Sequence, residues 1–270
     1  MEVGSYFGVG EEGLALAAIA LFFLAMILCL EFGRVLGQRA RGRQDDGPVG
    51  VATIDAALFA LLGLLIAFTF SGAAARFEGR RELIRDEANA VGTAYLRVDL
   101  VSAAAQPLLR QNFRDYVDAR LNVYAHVTDP VATNAAVAKV GQLQAKLWRN
   151  AVAATAATPG PQATTVLLPA INAMFDMATT RMVAAQAHPP KVIYFMLGFL
   201  ALACSTTAGF GMANGNRKRE WLHVMAFSTS IALTLYVIID LEYPRIGLFT
   251  ITHADQILVD VRNTMDAPPR

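Results

Sequence analysis

Charge is scarce in this chain and falls in clusters, and any chemistry has to be sought there. The longest cluster interleaves Arg76, Arg80, Arg81 and Arg85 with Glu78, Glu82, Asp86 and Glu87. A second, the segment DLEYPR, supplies Asp240, Glu242 and Arg245, and Asp55 stands alone near the start of an apolar run. Covalent or acid–base catalysis would ask for a nucleophile with a nearby base, and no GxSxG, HExxH or phosphate-cradling glycine loop occurs. His126, His188, His223 and His253 are too scattered to suggest a metal-ligand pair. The sequence therefore predicts no enzyme, cofactor or metal site. What these groups can do is electrostatic. The two Glu–Arg pairs at i,i+3 (Glu78/Arg81, Glu82/Arg85) attract, and Arg76/Arg80 and Arg81/Arg85 at i,i+4 repel by a similar amount. That block reads either as a solvated helix face or, in a ring of subunits, as arginines lining an anion vestibule.

The elements that carry these clusters are apolar. Of 270 residues, 55% are hydrophobic and 17% charged, with a mean hydropathy of +0.41. That composition predicts a multi-pass membrane protein whose first partner is the lipid bilayer. A net charge of +1 offers no field to attract nucleic acid. Cys29 and Cys204 both lie inside apolar runs, where they act as small hydrophobes. The first residues, MEVGSYFGVGEEG, carry no basic group. A cleaved signal peptide would want one, so the first hydrophobic run is expected to stay in the protein.

Four runs have about the 20 residues that a helix needs to cross hydrocarbon. They cover residues 13–32, 53–75, 191–212 and 221–241. The first two form a hairpin over residues 1–75, joined through the basic stretch at 33–52 with Gly47-Pro48 as punctuation. The last two form a hairpin over 191–245, and residues 246–270 are left as a tail. No proline interrupts residues 53–106, so the second span is expected to leave the bilayer and continue as an amphipathic helix. Residues 76–190 then make a helical extramembrane domain, with helices over about 108–126, 131–156 and 163–187. Asp129 is a candidate cap for the middle one. The fold class is all-α: four transmembrane helices with a helical insert between the second and third.

Asp55, two residues into its span, reads as an interfacial cap or as a functional intramembrane acid. Asp240, Glu242 and Arg245 read as a membrane-edge ion-pair cluster.

The run LIAFTFSGAAARFEGRRELIRDEAN resembles the bestrophin segment in which a pore-lining second helix ends in an FRxNxAYxRWWEGR-type motif. Phe68 and Arg76 keep its spacing of eight, and Glu78-Gly79-Arg80-Arg81 follows its acidic-Gly-Arg pattern. A bacterial bestrophin-like family of unknown function is more similar still. It shares this block, the EANAVGTAYLR stretch and a late DLExPRxGL-like element, here Asp240 to Leu248. The resemblance implies a homo-oligomeric, pentameric ion channel, anion-conducting although prokaryotic members can favour cations, with inorganic ions and copies of itself as partners. It implies a hydrophobic neck at Ala60, Leu64 and Phe68, spaced i, i+4, i+8 on one helix face, with Arg76, Arg80, Arg81 and Arg85 as vestibule charges. Ala60 is small where the family is bulky, and the acidic calcium clasp of animal bestrophins has no counterpart. From another class, the alternative is a non-conducting scaffold or sensor whose helical domain binds a protein partner.

Orientation receives two answers. The short basic loops put the helical domain outside by the positive-inside rule, whereas the family topology puts it in the cytoplasm of a cell whose inner membrane holds the spans. The second is preferred, since architecture is harder to invert than a charge count.

Overall fold

The computed structural model describes residues 11–41, 51–125, 129–213, 221–244 and 250–266. Among them the secondary structure is helical, with no strand. In chain order the helices are α1 Glu11–Arg41, α2 Val51–Leu96, α3 Gln106–Ala125, α4 Pro130–Ala156, α5 Gln162–Gln186, α6 Lys191–Gly211, α7 Trp221–Glu242 and α8 Thr252–Thr264. A 3-10 turn, Arg97–Leu100, follows α2. Among the described residues four helices are long and apolar enough to cross a membrane. The chain divides into two compact units, a membrane unit (Gly10–Arg76 with His188–Tyr243) and a helical unit whose main body is Phe77–Ala187 with Pro244–Arg270.

Two expectations are revised. α1 runs on to Arg41, so Arg34 and Arg39 are helical rather than part of a connection; no proline precedes Pro48, and the glycines at 33 and 37 serve packing instead of a turn. The segment 246–270 is also more than a tail, because it contains α8. The turn at 214–220 and the residues Gly47-Pro48, His126 and Arg245 lie outside the described residues.

In the membrane unit α1 and α6 meet through glycine. A Cβ at Gly33 would overlap the Thr206 carbonyl oxygen, and one at Gly209 would overlap that of Leu30. Such close approach is the usual reason for small residues between membrane helices, where dispersion contacts hold the pair together. Leu62, Leu197, Leu200, Ala201 and Cys204 form the unit's core, and Phe59 meets Phe227 edge-to-face at 5.8 Å. Hydroxyls inside the spans bond back to their own helix, Ser205 to the Ala201 carbonyl at 2.8 Å and Thr69 to that of Leu65 at 2.6 Å. That satisfies groups for which hydrocarbon offers no partner.

In the helical unit α3, α4 and α5 pack with the latter part of α2 and with α8 around Val91, Leu109, Phe113, Val117, Leu147, Leu167, Ile171 and Leu258. Asp129 caps α4, its carboxylate accepting from the backbone N–H of Val131 at 2.9 Å and of Ala132 at 3.1 Å. The break between α4 and α5 turns on Gly160, whose φ of 82° is the left-handed conformation that favours glycine. α8 is amphipathic: Leu258 is buried, and Arg262 donates to the Asp118 carboxylate at 2.7 Å. The Met265 carbonyl just beyond it accepts from Tyr95 Oη at 3.1 Å and from Arg114 at 2.8 Å.

Candidate functional site

α2 has two kinds of side within the membrane unit. Leu58, Phe59, Leu62, Leu65 and Ile66 turn into the core. Ala60, Leu64 and Phe68 turn away from it: Leu64 is 53% and Phe68 67% exposed, and Ala60 is exposed as well. A Cβ added at Gly63 would meet nothing. The stripe at i, i+4, i+8 is therefore left free by the chain's own fold. In a membrane protein such a stripe faces lipid, another subunit or a pore.

The four arginines beyond it are treated differently from one another. Arg76 is about a third exposed and gives its guanidinium to Glu242, with Nε donating to Oε1 at 2.6 Å. Arg80 is buried and donates to the backbone carbonyls of Ala184 at 3.2 Å and Ala187 at 2.9 Å. Arg81 and Arg85 are half-exposed. Arg81 bonds Glu78 at 2.8 Å, and Arg85 lies 3.6 Å from Glu78 and 3.9 Å from Glu82. Adjacent arginines, Arg80 and Arg81, thus do opposite things, one tying two helices and one facing water.

At the other cluster Asp240 and Glu242 are both buried in α7. Glu242 receives Arg76, and His188 Nδ1 lies 3.6 Å from its second oxygen. The His188 ring stacks on Tyr243 with centroids 4.8 Å apart. Asp55 is half-buried on the first turns of α2.

Sequence reading put Glu87 at the end of a charged surface block, and its surroundings are quite different. Its carboxylate is buried between two guanidiniums, accepting from Arg120 Nε at 2.6 Å and from Arg181 Nη1 at 2.7 Å. Arg181 continues to Asp255 on α8 and lies over the Tyr124 ring, 3.8 Å from its centroid. Burial pushes the Glu87 carboxyl up, and the two guanidiniums more than reverse this, so it titrates below the usual carboxylate range. Asn112, Tyr116 and Arg120 share one face of α3, all buried. Their spacing of four was visible in the sequence as polar residues inside an apolar stripe. Burial raises the Tyr116 hydroxyl above its ordinary value.

A family model described as a bestrophin-like domain matches residues 16–255. The chain is also similar to the crystal structure of a mutant bacterial bestrophin homolog from Klebsiella pneumoniae, with a TM-score of 0.66 and 12% identity, over 91% of this chain and 99% of that one. At that identity the likeness is one of fold. No curated protein matches the chain in sequence.

Proposed function

This chain belongs to the bestrophin-like family, and on that premise we propose that it is a homo-oligomeric ion channel, a pentamer, with its pore along α2. The observation that carries the reading is the free apolar stripe of Ala60, Leu64 and Phe68 on a membrane-crossing helix. Brought together around an axis, such stripes form an apolar ring that blocks ions by shedding water and conducts when splayed or rotated enough to wet. The chain is a multi-pass membrane protein. Its place is the inner membrane, with the helical unit in the cytoplasm as a vestibule.

The sign of the permeant ion follows from which charges stay exposed. The family resemblance implied anion conduction with four arginines as vestibule charges; Arg76 and Arg80 are engaged by Glu242 and by backbone carbonyls. Eighteen residues make about five helical turns, so Glu78, Glu82 and Asp86 repeat the register positions of Ala60, Leu64 and Phe68 on α2. All three are exposed, against the exposed guanidiniums of Arg81 and Arg85. Three carboxylates against two cations favour cations near the mouth.

The test is ion flux and reversal potential in liposomes for wild type, Leu64→Ala and Phe68→Ala, with oligomer mass measured alongside. Trimming the neck should raise flux, and a salt gradient should set the reversal potential on the cation side. Anion-side reversal would overturn the sign. Absence of flux in all three, with a monomer or dimer by mass, would leave the scaffold reading.

A further inference from the structure

Arg76 ends the apolar stretch of α2 and lies back along its own helix. Gly72, one turn earlier, leaves room for it: a Cβ there would come within 3.2 Å of Arg76 Nη1. The guanidinium is fixed by Glu242, the last residue of α7, whose side chain is wholly buried. The same carboxylate faces a third element. His188, in the link between α5 and α6, directs Nδ1 at Oε2 from 3.6 Å, while Tyr243 fixes the ring plane by stacking at an interplanar angle of 23°. His188 is about a quarter exposed, so protons can reach it. Among the described residues Glu242 and Tyr243 contact it, with Arg76 across the carboxylate, and Arg80 donates to the carbonyl of Ala187, the residue before it. Asp240 is buried nearby in sequence on α7, and Lys191 lies three residues on, at the start of α6.

A separation of 3.6 Å is beyond hydrogen-bond length, so the ring and the carboxylate face each other without a formed bond. Protonation makes both ring nitrogens donors. The nitrogen that faced Oε2 without a bond then gains a charge-assisted one. Glu242 would hold Arg76 through one oxygen and His188 through the other, joining α2, α7 and the α5–α6 link at one carboxylate.

We propose that His188, Glu242 and Arg76 form a proton-operated latch on the pore helix: Arg76 already ties α2 to Glu242, and taking up a proton at His188 ties the α5–α6 link to the same carboxylate, stiffening the join and opposing conduction. Imidazole is the side chain suited to this between about pH 5 and 8. The regulatory half of the inference rests on the channel reading; the latch itself does not.

The experiment uses the full-length protein, in liposomes for flux and in nanodiscs for backbone hydrogen exchange, at about pH 5.5 and about pH 8. Wild type should conduct about fivefold less in acid, the effect of roughly one net hydrogen bond. Exchange at residues 187–193, corrected for intrinsic rates, should slow by a similar factor. His188→Gln should lose both responses while keeping its flux at the higher pH. His188→Lys, which places a lasting cation beside Glu242, should resemble acidified wild type at both pH values. If exchange responds and no variant conducts, the channel reading fails and the latch stands. If wild type conducts and His188→Gln keeps the full acid response, the latch is wrong. Equal exchange in wild type and His188→Gln at both pH values would also overturn it, whatever the flux.

Discussion

The Arg120 guanidinium meets the Glu87 carboxylate at 2.6 Å with both side chains out of solvent. Arg181 reaches the carboxylate's other oxygen from α5 and carries the connection to Asp255 on α8. One carboxylate on α2 therefore gathers helices that are far apart in the chain. Three charges are taken from water at considerable cost, and they remain favourable only while every partner is present. Glu87→Gln keeps the shape and leaves Arg120 and Arg181 without their shared counter-charge. The expected loss is about 3–5 kcal/mol, read as a lowered thermal midpoint of the detergent-purified protein.

The same carboxylate gives the helical unit an acid limit. Its folded pKa lies below the ordinary 4.5, so the folded state favours the ionised form. The stabilisation is complete above the unfolded value and disappears as pH falls through the folded one. Thermal midpoints should hold steady at neutral pH and drop on acidification below about pH 4.5. Glu87→Gln should flatten that part of the profile.

Gly33 and Gly209 permit backbone contact between α1 and α6, and no side chain fits at either. Gly33→Leu should force the helices apart and lower the yield of folded, monodisperse protein. Gly13, where a Cβ meets nothing, is the matching control, and Gly13→Leu should behave as wild type.

Ala60 is the smallest member of the free stripe on α2, and α2 carries the proposed neck. Ala60→Leu should add an apolar ring one turn before Leu64 and lengthen the dry segment, reducing flux about tenfold or more without altering oligomer mass. Unchanged flux would place the constriction elsewhere.

The sequence by itself determined the four apolar helices and the helical insert, because an uninterrupted apolar run of bilayer length has few other ways to satisfy its backbone. It also determined the Asp129 cap, a local interaction spanning three residues. The length of α2 was legible for a similar reason, since nothing between its apolar and charged halves breaks a helix. Only the tertiary structure decided which charges face inward. Arg80 and Arg81 are neighbours with the same chemistry, and their fates differ because carbonyls about a hundred residues away lie beside one of them. Glu87 looked like the end of a solvated block, and its partners stand 33 and 94 residues further on. α8 escaped notice because a short amphipathic segment gains its helix from the surface it covers, here through Leu258 and Met265. Patterns within a few turns are written in the sequence, whereas the pairing of distant charges depends on where the chain's other elements come to rest.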